Sequence, residues 1–155
     1  MAIRTADAEW SGNLAQGCGP MRLGSGAFEG PYDFRSRMSD GRGTNPEELL
    51  GAAHAGCFSM ALALQLKLAG FTVKRIHTTA KVHFNERDGG WSIHSIDLDR
   101  EAAVSNIVAA AFEEQAESAQ KSCPVSRALT GVDINLRAKL LEGSAQAALR
   151  LACVY

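Results

Sequence analysis

A single domain that mixes antiparallel strands with buried helices is what the sequence predicts. Three observations carry this: a glycine-rich first third with short alternating stretches, one long and almost uniformly apolar helix opened by a capping signal, and two later runs of strand periodicity around a glycine turn. The chain has 155 residues, 46% apolar and 21% charged, which suits one soluble domain with one core. Its 16 basic and 17 acidic residues leave a formal net charge of -1, with no long single-sign run to attract a polyanion or a membrane surface. Neither nucleic acid nor membrane is an expected partner. The opening residues are too polar for a signal peptide, and Asp7 and Glu9 argue against a transit sequence, so the expected location is cytoplasmic.

The first third carries Gly12, Gly17, Gly19, Gly24, Gly26 and Gly30 between alternating stretches such as Ala8 to Ser11 and Tyr32 to Arg35. It reads as a small antiparallel meander. The run Gly43-Thr-Asn-Pro-Glu-Glu then opens a helix: Asn45 can cap, Pro46 suits the first helical position, and Glu48 stands where a capping-box acid reaches back. From Leu49 to Ala69 this helix is apolar almost all round, with His54, Ser59, Gln65 and Lys67 as its main polar interruptions, and Gly70 stops it. At ~1.5 Å per residue it spans about 35 Å, the width of a small domain. Its unbroken apolar stretch, Ala55 to Leu64, is shorter than the ~20 residues that a bilayer requires. A chain of this size with a glycine-rich meander lacks the material to wrap such a helix alone, so an intertwined homodimer is expected.

Between Phe71 and Phe84, Ala80, Val82 and Phe84 share one phase while Thr79, Lys81 and His83 share the other, as in one strand of a half-buried sheet. Asp88-Gly89-Gly90 makes the turn. In the second strand Trp91 and Ile93 fall out of phase with Ile96 and Leu98, which places a bulge near Ser95. Helical spacing returns from Val104 to Lys121, with Ile107, Ala110, Ala111, Ala116 and Ala119 inward and Glu113, Glu114 and Glu117 forming a solvated face. Cys123 and Pro124 restart a short helix, and Val132 to Leu140 alternates as a last strand. The reading is one domain over 1–140 with a C-terminal appendage, 141–155, whose small alanine-rich helix has no place in the core.

Four cysteines, at 18, 57, 123 and 153, form no C-x-x-C pair, so neither a disulfide scaffold nor a zinc ribbon is indicated. In a reducing compartment a cysteine is a small buried hydrophobe or a reactive centre. Position singles out two. Cys57 lies in the middle of the apolar helix, where burial raises a thiol pKa and silences it. Cys123 lies at a helix N-terminus, where backbone N–H groups and the helix dipole favour a thiolate. Local physics alone selects Cys123 as the nucleophile. Cys18, in a glycine-rich loop, and Cys153, in the tail, read as non-catalytic.

The segment from Gly43 through Cys57-Phe-Ser-Met, followed by Ser122-Cys123-Pro124-Val125-Ser126, resembles the OsmC/Ohr family of organic hydroperoxide reductases, from about Trp10 to Lys139. His54 and the segment Pro31-Tyr32-Asp33-Phe34 are more similar to the OsmC branch. The resemblance implies an α+β, OsmC-like fold in which antiparallel sheets wrap two central helices as a tight dimer, with peroxidase activity and no metal or bound cofactor. It assigns the attacking thiol to Cys57 and the resolving thiol to Cys123, the reverse of the dipole argument. It also supplies Arg37, to stabilise thiolate and alkoxide, and Glu47, to orient that arginine. Arg35, two residues away on the same expected strand face, is the alternative to Arg37. The implied substrate is an organic hydroperoxide and the implied reductant a dithiol, on a lipoyl-bearing partner.

Glu47 and Cys57 are ten residues apart on one helix, hence ~15 Å along its axis. If both serve one site, Arg37 and Glu47 reach the Cys57 of another subunit. A site lined by Phe58, Met60 and leucines would favour bulky organic peroxides over hydrogen peroxide. His54, one turn before Cys57, reads as a packed core histidine, and Ser126 as part of the turn after Cys123. Three other readings of the same residues are a redox sensor built on the cysteine pair, a Cys57–His54 acyl transferase, and a metal site from His54, Cys57 and Cys123. The second lacks an orienting acid and the third a fourth ligand.

Overall fold

The computed structural model describes residues 1–141, so the expected appendage, with Cys153, lies outside the described residues apart from Leu141. The order is β1 (Ala6–Ala8), β2 (Cys18–Leu23), β3 (Glu29–Asp33), α1 (Phe34–Met38), α2 (Pro46–Leu68), β4 (Thr72–Arg87), β5 (Gly90–Ser105), α3 (Ala109–Ser122), α4 (Pro124–Ala128) and β6 (Asp133–Leu140). The class is α+β, with two three-stranded sheets, β1-β2-β3 and β4-β5-β6. The first is the expected meander. One pairing departs from the expectation of antiparallel sheets: β6 runs parallel to β5, Ser95 opposite Asp133 through Ala102 opposite Leu140. Two helices, α3 and α4, stand between these strands and supply the crossover that a parallel pair needs.

Two further expectations change in the meander. Tyr32 to Arg35 does not continue as a strand: Asp33 caps α1, its carboxylate accepting from the Ser36 N–H at 2.7 Å while the Ser36 hydroxyl accepts from the Asp33 N–H at 3.0 Å. This reciprocal bonding ends β3 and turns the chain. Cys18 is not in a loop but opens β2 opposite Asp33, and it is exposed.

α2 keeps its expected bounds. The Asn45 side chain accepts from the Glu48 N–H at 2.8 Å, Pro46 follows, and Gly70 leaves the helix at φ +84°. The Glu48 carboxylate accepts from the Thr44 hydroxyl at 3.3 Å instead of closing the expected capping box. At 23 residues α2 has the length and apolarity of a membrane span, and it is the central helix of this fold. Gly51, His54, Phe58, Leu62 and Leu66 face inward at three- to four-residue spacing. A side chain at Gly51 would meet the Val82 methyl at 3.3 Å, so the glycine lets α2 lie close on β4. The core joins Phe58, Leu62 and Leu66 to Ile96, Leu98, Ala102, Phe112, Ala116, Ala119 and Cys123.

The expected bulge is present. Register shifts between His83, opposite Ser95, and Phe84, opposite Ile93, leaving His94 as the extra residue. Ile93 is thereby returned to the core face, with Phe84 and Trp91 stacked 5.1 Å apart beyond it. The helical reading from Val104 was too early. β5 runs to Ser105, Asn106 takes φ +58°, and α3 begins at Ala109, burying Phe112, Ala116 and Ala119 and leaving Ala110 exposed. Among the described residues it is the second sheet that packs on α2 and α3. The meander packs on α1 and on the lead into α2, where the Thr44 N–H meets the Pro31 carbonyl at 2.9 Å.

Candidate active site

Two pairs of side chains hold the expected site residues. The first is Cys57 and Cys123. Phe58 is wholly buried, so its neighbour Cys57 falls at the border of the buried stripe of α2 and is half-buried. Cys123 closes α3, its N–H bonding Ala119, and caps α4, its carbonyl accepting from the Arg127 N–H at 3.0 Å. Because α2 packs on both helices, the two sulfurs stand 3.0 Å apart across 66 residues of chain. Both are free thiols. A disulfide at ~2.05 Å needs only a small further approach.

The two thiols differ electrostatically. Burial pushes the Cys57 thiol up, its hydrogen bond with Cys123 pushes it further, and the Val125 N–H only partly offsets this. Burial also acts upward on Cys123, but bonds from Cys57, the Ser126 hydroxyl, and the Ser126 and Val125 N–H groups overcome it and hold this thiol below its ordinary value. Cys123 makes no side-chain capping bond of regular geometry; the nearness of these donors is what favours its anion. In one chain, then, the surroundings favour the anion on Cys123 over Cys57, the direction that the dipole argument expects.

The second pair is Arg37 and Glu47. The guanidinium Nε donates to Glu47 at 3.2 and 3.4 Å and one terminal nitrogen donates at 2.8 Å. The Phe84 ring lies 4.9 Å from the guanidinium carbon. Glu47 is buried, while 41% of the Arg37 side chain is exposed. Arg35 makes no ion pair among the described residues. Because both arginines lie on α1 and not on a strand, two positions turn the side chain by ~200°, and they cannot exchange by a register slip. Among the described residues no hydrogen bond joins Arg37 or Glu47 to either cysteine.

His54 does not pair with Cys57. Its Nε2 lies 2.9 Å from the Ser126 Oγ, and its Nδ1 is buried without a partner among the described residues. Burial lowers its pKa, so the ring is neutral near pH 7. Phe58, expected to line the site, is core instead, whereas Met60 is 77% exposed. An open groove of about 430 Å³ runs between α2 and β4, lined by Glu47, Gly51, Ala52, Ala55, Ala80 and Val82 among others.

A family model described as OsmC-like protein matches residues 39–137, the stretch that holds Glu47 and both cysteines. The chain belongs to the OsmC-like protein family. Peroxiredoxin OsmC of Escherichia coli (strain K12) is 45% identical to this OsmC-like chain over 127 residues, 81% of this chain and 89% of the relative. Organic hydroperoxide resistance protein OhrB of Bacillus subtilis (strain 168) is 32% identical over 124 residues, 72% of this chain and 85% of the relative. The crystal structure of the Bacillus subtilis OhrB superposes with a TM-score of 0.63 at 26% identity, covering 87% of this chain and 98% of that one. An organic hydroperoxide resistance protein OsmC from Legionella pneumophila, at 22% identity, TM-score 0.66 and coverage of 90% and 99%, shares the fold.

Two buried polar residues of this OsmC-like chain, Ser126 and Arg100, were missed as partners of the buried side chains beside the site. Ser126 bonds His54 from 72 positions away, a contact no local pattern encodes. Arg100 is 2% exposed, between Phe58 and Phe112, and donates to Glu113 at 2.7 Å. Its signal was available: it falls on the inward phase of β5 with Ile96, Leu98 and Ala102.

Proposed function

We propose that this chain is a thiol-dependent peroxidase that reduces organic hydroperoxides to alcohols, acting as a homodimer in a reducing cytoplasm. The observation that carries this reading is the thiol pair itself: two free sulfurs 3.0 Å apart, one half-buried and one wholly buried. The names of the relatives, Peroxiredoxin OsmC and organic hydroperoxide resistance protein OhrB, support the substrate class. Cys57 is the sulfur that a substrate can reach, so it attacks, and Cys123 resolves.

The Cys57 thiolate attacks the distal oxygen of R–O–O–H. The O–O bond breaks, its electron pair leaves on the alkoxide, which takes a proton from water, and Cys57 becomes a sulfenic acid. The Cys123 thiolate then attacks the Cys57 sulfur and expels hydroxide, leaving a disulfide. A dithiol, on a lipoyl-bearing protein in this reading, restores both thiols. The first step needs charge, because Cys57 is raised where it stands. Arg37, always charged and held by Glu47 and Phe84, is set to supply it to thiolate and departing alkoxide.

It supplies that charge across a dimer interface. Glu47 and Cys57 are ~15 Å apart on their own helix. On the outer face of α2, Ala52, Gly56, Met60, Leu64 and Leu68 are exposed at every fourth position, an apolar stripe that a second subunit would cover. The groove beside Glu47 has a small apolar side, Gly51, Ala52, Ala55, Ala80 and Val82, suited to an alkyl group, and a polar side, Asn45, Glu47, Glu48, Thr78 and Thr79.

One equivalent of cumene hydroperoxide, followed by a sulfenic-acid probe, tests the roles. Cys123→Ser is expected to accumulate sulfenic acid at Cys57, and Cys57→Ser to lose oxidation. Sulfenic acid forming at Cys123 in Cys57→Ser at the normal rate would reverse the roles, and no oxidation of either thiol would end the peroxidase reading.

A further inference from the structure

The chemistry above leaves His54 idle, although it is wholly buried one helical turn before Cys57. Among the described residues its ring has one partner, the Ser126 hydroxyl at 2.9 Å, itself buried. Ser126 is the third residue of α4, whose cap is Cys123, which sets its hydroxyl near the Cys123 sulfur, close enough to favour that thiol's anion without a hydrogen bond of regular geometry. His54, Ser126, Cys123 and Cys57 thus form one chain of contacts that ends at the half-buried sulfur.

The tautomer fixes the direction of this chain. Nδ1 of His54 is buried without a partner among the described residues. If Nδ1 carried the proton, a buried N–H would be orphaned, which folded proteins rarely tolerate; a bare ring nitrogen is less costly. The tautomer with its proton on Nε2 donates to Ser126 Oγ and leaves the Ser126 hydroxyl free to donate its own proton to Cys123 Sγ. Every donor in the relay points toward Cys123.

We propose that His54 and Ser126 form a hydrogen-bonded relay that makes Cys123 the sulfur released when the Cys57–Cys123 disulfide is reduced, so that the dithiol attacks Cys57. In this relay Ser126 donates to the reacting sulfur, and His54 is a positioning residue that acts through Ser126. A thiolate of the reductant attacks Cys57 Sγ, the bond to Cys123 breaks, and its electron pair leaves on Cys123, where the relay and two backbone N–H groups receive it. The mixed disulfide on Cys57 is then attacked by the reductant's second thiolate. Cys57 leaves with that electron pair, and the reductant departs as a cyclic disulfide, oxidised by two electrons. Exposure favours the same order, since Cys57 is half-buried and Cys123 is wholly buried, and exchange is faster when the lower-pKa sulfur leaves. Among the described residues, Cys57 on α2 is the titratable group that bears on Cys123, and no charged group bears on His54.

The inference depends on the peroxidase reading only for the oxidant that forms the disulfide, so the test begins with protein oxidised by diamide, which joins thiols without peroxide. One equivalent of mercaptoethanol, an iodoacetamide quench and peptide mass spectrometry are expected to find mercaptoethanol on Cys57 and the alkyl group on Cys123. The reverse labelling, an even split, or a pair that diamide cannot join would overturn the proposal. In the Cys57→Ser background, the ultraviolet absorbance of the Cys123 thiolate is then titrated. Ser126→Ala is expected to raise its midpoint by about one pH unit, the weight of one hydrogen bond to a charge. His54→Asn should raise it by less, and Ser126→Thr should restore it. Ser126→Ala removes a single oxygen and decides the point even if His54→Asn does not fold; an unmoved midpoint overturns the relay. A chain that gives the expected labels and midpoints yet turns over no cumene hydroperoxide would support the relay and remove the peroxidase reading.

Discussion

A half-buried thiol in an apolar helix is a poor nucleophile, and the residues around Cys57 follow from that fact. What raises it is burial and the neighbouring sulfur; what can lower it is a guanidinium, and Arg37 is the one clamped on Glu47. Glu47 was readable only through the resemblance, whose motif fixes it directly after Pro46. Arg37 and Arg35 were not separable, because an assumed strand put them on one face, and only the one-turn helix capped by Asp33 and Ser36 divides them. His54 carries a pH signature of its own. Its folded pKa lies below the ordinary value of about 6.5. In acid just below that value the unfolded chain therefore binds a proton that the folded chain refuses, and stability falls as pH drops through this window toward the lowered folded value. Urea midpoints at about pH 7 and about pH 5.5 are expected to differ more for the parent chain than for His54→Asn; equal differences would show that His54 is not held neutral.

At the scale of elements, what was legible is what local chemistry decides. Asn45, Pro46 and Gly70 set both ends of α2, and alternation with one phase change located β4, β5 and the bulge at His94. The parallel pairing of β6 was hidden because partner choice depends on where α3 and α4 carry the chain. The uniform apolarity of α2 was visible, but its division into two faces was not. Leu62 is wholly buried against the chain's own sheet and helices, whereas Leu64, two residues on, is 53% exposed on the stripe with Met60 and Leu68. Substitutions at the two should therefore part company. Leu62→Ala is expected to destabilise by ~2–5 kcal/mol in urea unfolding through a core cavity. Leu64→Lys should leave the fold's circular dichroism intact and convert a dimer to a monomer in analytical ultracentrifugation. A Leu64→Lys chain that remains dimeric would remove the stripe from the interface.

As a whole molecule, one chain holds all four site residues yet sorts them into two unlinked pairs. The thiols meet where α2 crosses α3 and α4, and the charge is held where α1 meets the first turn of α2. Half of the expected site was legible as chemistry and the other half only as resemblance, since no spacing in the sequence states that Arg37 serves a cysteine it does not touch. In the proposed dimer the halves join, with the thiols of one subunit facing the guanidinium of its partner. Subunit complementation tests this most directly. Cys57→Ser and Arg37→Ala chains, each inactive alone, are mixed under conditions that exchange subunits and assayed with cumene hydroperoxide and dithiothreitol. Recovery of about a quarter of parental activity is expected, because half of the random dimers are mixed and each rebuilds one of its two sites. A mixture that exchanges subunits and stays inactive would mean that Arg37 and Cys57 must belong to the same chain, contradicting the account.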